Sequence, residues 1–152
     1  MSVNLGDIAP DFELTDQTRS PIRLSDYRGK KNVMLVFYPL SFTGVCTGEM
    51  CAIRDDLPAF RNDDVETLAV SVDSSAVHAA FATQEGLDFP LLADFWPHGA
   101  VARLYGVFND ERGLAVHGTF AIDKDGVVRY TDINAIPDAR DPNAGKDALA
   151  AL

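Results

Sequence analysis

The pattern of apolar and polar residues predicts strands that alternate with helices along most of the chain. Two mainly apolar segments, residues 33–38 and 67–72, are predicted to be central strands. Between residues 46 and 60 the apolar positions are spaced three and four apart, which predicts a helix that Pro58 should end or bend. A second helix is predicted from a serine cap at Ser74 or Ser75 to Gly86.

Shorter segments complete the pattern at both ends of the chain. They are predicted as a loose hairpin (12–14 and 22–24), a short helix (100–105), a second hairpin (119–122 and 127–130) and a terminal helix (145–152). Crossover helices require parallel neighbouring strands, whereas the late hairpin is antiparallel. We therefore predict an α/β fold with a mixed central sheet, helices on both faces and an N-terminal hairpin. This layout matches a thioredoxin-like fold.

Size and composition indicate one domain over residues 1–152. The chain is 47% hydrophobic, and neither a linker nor a repeat divides it. Its two cysteines are too few for a disulfide scaffold, and the first ten residues lack the features of a secretory signal, so a reducing cytoplasm is expected. The longest apolar run, residues 33–40, is far short of the roughly 20 residues that span a bilayer as a helix, and no membrane association is expected.

The charge balance argues against a nucleic-acid partner. The chain has 13 basic and 23 acidic residues, for a net charge of -10, which repels a phosphate backbone. Only four of the basic residues are lysines. An acidic, lysine-poor surface of this kind fits either a salt-rich cytosol or a merely acidic mesophilic protein.

Cys46 is the residue with the clearest candidate chemistry. It follows the predicted strand 33–38 by a short loop and lies where the next helix should begin. A helix N-terminus offers the positive end of the helix dipole and unpaired N–H groups, and both favour thiolate over thiol. A cysteine in this position can also be a small core residue. A reactive thiol is the leading hypothesis.

Three residues around this thiol carry a resemblance to a known family. Pro39, Thr43 and Cys46 form the pattern P-x3-T-x2-C directly after the predicted strand, and in this the chain resembles the peroxiredoxins. The closest likeness is to the alkyl hydroperoxide reductase E subgroup. Further similar segments lie at residues 9–12, 24–29, 36–40, 94–99 and 118–120.

The resemblance implies a function and a set of partners. It implies reduction of hydrogen peroxide or organic hydroperoxides by the Cys46 thiolate, which becomes a sulfenic acid. A thioredoxin-like protein or a low-molecular-weight thiol would then act as the reductant. No metal, flavin or haem is expected as a cofactor.

The residues beside Cys46 have roles that follow from the chemistry of O–O cleavage. Thr43 can place its hydroxyl beside the sulfur and the substrate, and Pro39 would shield the thiolate from water. The N–H groups of Val45 and Cys46 can hold peroxide oxygens. Glu49 resembles the family glutamate of the helix after the cysteine and could hydrogen-bond within the pocket; alternatively, it is a first-turn acid that stabilises the helix.

His117 is a departure from the family pattern. Peroxiredoxins normally carry an arginine directly before the segment that matches residues 118–120. Histidine is shorter and offers no forked pair of donors. Three accounts stay open: His117 substitutes as a donor, another arginine such as Arg112 or Arg129 reaches the pocket, or activity is reduced.

Cys51 is the second departure. The spacing C-x4-C resembles the Q-type, or bacterioferritin-comigratory, peroxiredoxins, in which Cys51 would resolve the Cys46 sulfenic acid as an intramolecular disulfide. Residues five apart on an ideal helix have Cα atoms about 8.6 Å apart, whereas a disulfide tolerates roughly 7 Å. Resolution therefore requires the first helical turns to unwind. The alternative is that Cys51 is a small buried residue without a redox role.

Other functions and assemblies are also compatible with the sequence. A copper site could use Cys46, Cys51 and His117, and a redox-sensing module could use the same scaffold without peroxidase turnover. A general thiol-disulfide oxidoreductase is weakened by the absence of C-x-x-C. The segment 95–97, Phe-Trp-Pro, suggests an aromatic homodimer surface, unless Trp96 packs into its own monomer. His78 and His98 are expected to be structural or surface residues.

Overall fold

The computed structural model describes residues 2–152, apart from the side chain of Pro142. Its backbone alternates strands with helices. Nine strands and five α-helices lie within these residues, together with a 3₁₀ helix at Leu24–Tyr27. The strands are β1 (Glu13–Thr15), β2 (Pro21–Arg23), β3 (Asn32–Phe37), β4 (Val65–Ser71), β5 (Leu91–Ala93), β6 (Phe108–Asn109), β7 (Leu114–Ala115), β8 (His117–Ile122) and β9 (Val128–Asn134). The helices are α1 (Gly44–Asp55), α2 (Leu57–Phe60), α3 (Ser75–Glu85), α4 (Ala100–Leu104) and α5 (Pro142–Ala150).

The central sheet is mixed, as predicted. Its strand order is β5-β4-β3-β8-β9, with β5, β4 and β3 parallel and β8 and β9 antiparallel to their neighbours. Every residue of β3 and β4 is buried, as expected for parallel strands that are covered on both faces. Strand β3 lies in the middle of the sheet and ends beside the loop that leads to Cys46.

The two faces of the sheet are covered by different elements. One apolar cluster contains Leu35 and Phe37 of β3 and is closed by the N-terminal segment and α4. The other contains Met34 and Val36 of β3 and is closed by α1, α2, α3 and α5. This division confirms the prediction of helices on both faces. It also places Cys46 in the cluster on the second face.

The two predicted hairpins are present. Strands β1 and β2 pair antiparallel with Leu14 opposite Ile22, which confirms the N-terminal hairpin. Strands β8 and β9 pair through the predicted turn, where the Asp123 carboxylate accepts from the N–H groups of Asp125 and Val127 at 2.9 and 3.0 Å. These side-chain bonds replace backbone partners that the turn itself cannot supply.

The helix boundaries differ from the prediction in two places. The helix predicted for residues 46–60 begins at Gly44 and breaks at Asp56, so Pro58 lies in the first turn of α2, where no backbone N–H is needed. Helix α5 begins at Pro142, not at residue 145, because the Asp141 side chain accepts from the Asn143 N–H and caps it. None of the helices formed by residues 2–152 has the length and apolar character needed to cross a membrane.

Candidate active site

Cys46 lies in the first turn of α1, where the chain leaves the buried strand β3. It is the third residue of the helix, and only 3% of its surface is exposed. Thr43 occupies the N-cap position but makes no capping bond; its hydroxyl donates to the Leu40 carbonyl at 2.7 Å. Pro39 is buried in the same loop. Pro39 and Thr43 therefore lie in the loop that leads directly to one nearly enclosed thiol.

Burial raises the pKa of the Cys46 thiol, and polar neighbours only partly offset the effect. The Thr43 hydroxyl, the Leu40 backbone and the positive charge of Arg140 lower the pKa, whereas the charge of Glu49 raises it. The net direction is upward. The expectation that the helix start favours thiolate is therefore opposed by desolvation of the sulfur, and the nearby donors and cation are needed to keep the thiolate accessible.

Glu49, His117 and Arg140 form a buried charged cluster next to Cys46. The side chains of Glu49 and Arg140 are 9% and 7% exposed, and that of His117 is fully buried. Arg140 donates to Glu49 Oε2 from both its backbone N–H, at 2.9 Å, and its Nε, at 3.1 Å. Burial raises the pKa of the Glu49 carboxyl, but His117 and Arg140 outweigh it, and the pKa lies below its ordinary value. Glu49 is thus a carboxylate at neutral pH.

Arg140 is the residue that the sequence prediction missed. It lies between β9 and α5, and Nη1 donates to the Gly118 carbonyl at 3.2 Å and to Thr119 Oγ1 at 2.9 Å, while Nη2 donates to the Phe37 carbonyl. It thereby bridges β3 and β8 beside the thiol. Of the two arginines named from the sequence, Arg129 instead pairs with Asp123 on the surface, and Arg112 is exposed.

The two ring nitrogens of His117 differ in their hydrogen bonding: Nε2 has one partner and Nδ1 has two possible partners. Nε2 lies 2.8 Å from the Ile136 carbonyl oxygen, which can only accept, so Nε2 carries a proton. Nδ1 lies 3.0 Å from Glu49 Oε1 and 3.2 Å from Arg140 Nη2. A neutral ring accepts from Arg140 through Nδ1, whereas a protonated ring donates to Glu49. His117 therefore does not present the forked donors of an arginine, and Arg140 brings a guanidinium to the cluster.

Cys51 faces a different neighbour from Cys46. Its Sγ lies 3.6 Å from Glu85 Oε2 at the end of α3, and burial together with the Glu85 carboxylate raises the pKa of its thiol. Both cysteines are free thiols on the continuous helix α1. The structure does not gather Cys51 with Cys46 and His117 as a ligand set. Among the described residues, the group of potential metal-ligand atoms is Cys46, Glu49 and His117.

A buried polar network supports the active-site loop from behind. The Ser41 N–H donates to Asp73 Oδ2 at 2.9 Å, and the Ser71 hydroxyl donates to the same oxygen at 2.6 Å. The Ser71 hydroxyl in turn lies 2.7 Å from His78 Nε2, and Tyr38 and Ser41 share a hydroxyl contact of 3.0 Å. His78 is thus a buried structural residue, while His98 is exposed and contacts the Gly113 carbonyl at 2.7 Å.

An apolar cavity of about 310 Å³ lies next to the cluster, between α1, α5 and the sheet. Val45 and Met50 of α1 line it, as does Met34 of β3. Glu49 and Arg140 also form part of its wall. Two members of the charged cluster therefore border a mainly apolar space.

Comparison with known proteins identifies the family. A family model described as the AhpC/TSA family matches residues 5–131. The chain belongs to the AhpC/TSA family. Alkyl hydroperoxide reductase E of Mycobacterium tuberculosis is 51% identical over 150 residues, which cover 99% of this chain and 98% of that protein. Peroxiredoxin-2 of Mus musculus is 42% identical over 149 residues, covering 91% and 74% of the two chains.

Solved structures of AhpC/TSA relatives agree with the fold. The crystal structure of peroxidoxin BcpB from Mycobacterium tuberculosis has a TM-score of 0.85 at 34% identity and covers 99% of this chain and 98% of its own. AhpC of Enterococcus faecalis has a TM-score of 0.87 at 28% identity, with 99% and 92% coverage. The predicted peroxiredoxin resemblance and thioredoxin-like fold are confirmed.

Proposed function

We propose that the protein is a thiol-dependent peroxidase in which Cys46 is the reacting residue. The observation that carries the proposal is the nearly enclosed Cys46 sulfur at the start of α1, which lies three residues after Thr43 and beside the Glu49–Arg140 ion pair. The family of the chain and its 51% identity with an alkyl hydroperoxide reductase E support the same chemistry. Hydroperoxides are therefore the proposed substrates.

The proposed reaction is a two-electron displacement at oxygen. The Cys46 thiolate attacks one peroxide oxygen, the S–O bond forms as the O–O bond breaks, and the departing oxygen takes a proton to leave as water or an alcohol. The Thr43 hydroxyl, which donates to the Leu40 carbonyl in the resting structure, and the N–H groups of Val45 and Cys46 are the proposed partners of the peroxide oxygens. The positive charge of Arg140 stabilises the thiolate, while Glu49 and His117 hold Arg140 in place.

The direct test is to add one equivalent of peroxide to the reduced protein and map the oxidised residue by mass spectrometry. We expect Cys46 to be oxidised first, by both hydrogen peroxide and an alkyl hydroperoxide. Cys51→Ser should consume the peroxide at the wild-type rate, whereas Cys46→Ser should not consume it above the buffer background. Undiminished consumption by Cys46→Ser would contradict the proposal.

Cys51 is the proposed resolving thiol. Because both cysteines lie on the intact helix α1, the disulfide requires the first turn of α1 to unwind. Gly44 and Gly48 lower the helix preference of that turn. In the same mass measurement, a disulfide appears as the loss of two hydrogens, and a sulfenic acid that persists with Cys51 unmodified would exclude this role. A thioredoxin-like protein or a small thiol, in a reducing cytoplasm, is the proposed source of electrons.

A homodimer is the proposed assembly, with the Phe95–Trp96 loop at its interface. Trp96 is 81% exposed, so it does not pack into its own monomer. A large exposed aromatic side chain is typical of an interaction surface. We expect sedimentation velocity to show a dimer that Trp96→Lys converts to monomer, while Ile8→Lys, a charge placed at another exposed apolar position, leaves it intact. A monomeric wild-type protein, or a dimer unaffected by Trp96→Lys, would refute this interface.

A further inference from the structure

Two buried polar atoms, Glu49 Oε1 and His117 Nδ1, lie close together beside the thiol. Glu49 Oε1 is inaccessible to solvent and accepts no hydrogen bond among the described residues, although it lies 3.0 Å from His117 Nδ1. In a His117 ring whose one proton is on Nε2, Nδ1 has only a lone pair, which accepts from Arg140 Nη2 at 3.2 Å and offers this carboxylate oxygen no proton. Such a pair is stabilised by a cation between the two atoms, which can be a proton or a metal ion.

The Cys46 sulfur completes a set of three possible ligands. The ligand atoms of Cys46, Glu49 and His117 all lie within 4.8 Å of one another. Tetrahedral zinc has bonds of about 2.0 to 2.3 Å, which place its ligands about 3.3 to 3.7 Å apart. The longest separation, at most 4.8 Å, must therefore shrink by no more than about 1.5 Å, and the proposed site requires a rotation of the Cys46 or Glu49 side chain to close it.

The surroundings hold these ligands as metal sites usually do. The Nε2 proton of His117 goes to the Ile136 carbonyl, and a backbone carbonyl is a common partner for the outer nitrogen of a ligating histidine. Glu49 Oε2 is held by Arg140, which leaves Oε1 free to bind. If His117 Nδ1 binds a metal ion, it no longer accepts from Arg140, but the guanidinium still donates to the carbonyls of Phe37 and Gly118. Its positive charge opposes the ion, so binding should be weaker than in a closed structural zinc site.

We propose that Zn²⁺ binds between Cys46 Sγ, Glu49 Oε1 and His117 Nδ1 and reversibly blocks the thiol. Binding replaces the Cys46 S–H bond with a sulfur–zinc bond and releases one proton, and no electron is transferred. A sulfur whose electron pair is shared with zinc is unavailable to peroxide. The blocking effect rests on the proposed peroxidase function, whereas the binding site itself does not.

The mixed ligand set favours zinc over other common ions. One thiolate, one imidazole and one carboxylate are all normal zinc ligands. Cu(I) prefers a second soft ligand, and Cys51 is directed instead toward Glu85. Mg²⁺ and Ca²⁺ prefer sites built of oxygen alone. Three protein ligands leave a fourth position for water.

The binding test uses Co²⁺ as a spectroscopic probe and Zn²⁺ as its competitor. Reduced protein in metal-free buffer should bind one Co²⁺ per chain, with a thiolate-to-cobalt charge-transfer band and the d–d bands of tetrahedral coordination, and micromolar Zn²⁺ should abolish both. His117→Arg and Glu49→Gln should weaken binding at least about 100-fold, since loss of even a residue behind a ligand costs 10- to 100-fold. Cys51→Ser should bind as the wild type does.

The variants make each outcome decisive. Should His117→Arg or Glu49→Gln fail to fold, as judged by circular dichroism, the near-isosteric Cys46→Ser serves as the ligand deletion, and it must lose the charge-transfer band. The absence of a saturable band in the wild type would overturn the proposal. So would a band that survives in His117→Arg but disappears in Cys51→Ser, because the ion would then be bound at another thiol.

A separate measurement tests the blocking effect. Zn²⁺ should slow the oxidation of Cys46 by peroxide in proportion to the occupied fraction of the site, and a chelator should restore the rate. Wild-type protein that reacts with peroxide but binds neither ion refutes the zinc site and leaves the peroxidase proposal intact. If the protein binds Co²⁺ but its metal-free form does not react with peroxide, the peroxidase proposal is refuted and the metal-site proposal stands.

Discussion

Replacing Arg140 with leucine is expected to lower the free energy of unfolding by about 3 to 5 kcal/mol. The change removes a buried guanidinium and leaves the Glu49 carboxylate without its charged partner, which is the usual origin of a loss of this size. It also removes the hydrogen bonds that Arg140 donates to the carbonyls of Phe37 and Gly118. Urea unfolding followed by circular dichroism measures the difference.

Two control variants separate the buried charge from lost packing. Glu49→Leu combined with Arg140→Leu should recover most of the stability, because replacing both members of a buried ion pair with apolar side chains is often nearly neutral. Arg129→Leu removes an arginine that is 53% exposed and paired with Asp123, and it should cost at most about 1 kcal/mol. A double variant as unstable as the sum of its single changes would contradict the ion-pair explanation.

The same Arg140 variant should also make the thiol less reactive. The guanidinium charge lowers the pKa of Cys46 against the raising effect of burial, so its loss moves that pKa further up. At neutral pH the thiolate fraction then falls, and the midpoint of the pH–rate profile for peroxide oxidation moves to higher pH. The double variant loses the raising charge of Glu49 together with the lowering charge of Arg140, so its profile should lie closer to that of the wild type than the profile of Arg140→Leu does.

The parts of the fold that local sequence determines were predicted well. Strand β3 and the residues of α1 and α3 have runs or periodic patterns long enough to indicate the element. Strands β5, β6 and β7 have three, two and two residues, and no pattern of that length separates a strand from a loop. Their pairing depends on neighbours that only the assembled sheet supplies.

In the candidate site, too, the residues that are close together in sequence were predicted and the distant one was not. Pro39, Thr43 and Cys46 lie within eight residues of chain and form a pattern that can be recognised without a structure. Arg140 is 91 residues from Glu49 and lies between elements, so no spacing indicates it. The sequence did show that a cation was needed, because a carboxylate near a buried thiol needs a positive partner. His117 cannot supply the forked pair of donors that an arginine has. That requirement pointed to an arginine but not to its position.

Acidification from pH 7 to pH 5 is expected to remove about 2 kcal/mol of stability through His78 alone. Burial lowers the pKa of His78 to about 4, against the opposing effect of Asp73, while the unfolded chain has the ordinary value of 6.5. Between these values the unfolded state binds a proton that the folded state does not, so stability falls as the pH falls. The full effect, reached below pH 4, is about 3 kcal/mol. In the fold, Nδ1 of His78 makes no hydrogen bond among the described residues, and the Asp73 charge and the Leu91 backbone favour the protonated ring without outweighing its burial.

The variant His78→Gln isolates this effect because glutamine can still donate to Ser71 but does not titrate. Burial raises the pKa values of Asp94 and Glu66, and their contributions run in the opposite direction, so the wild-type curve alone is not diagnostic. The difference in unfolding free energy between wild type and His78→Gln should therefore change by about 2 kcal/mol between pH 7 and pH 5. Parallel pH curves for wild type and His78→Gln would show that His78 titrates normally in the fold, and the buried network behind the active-site loop would then have to admit a charged ring.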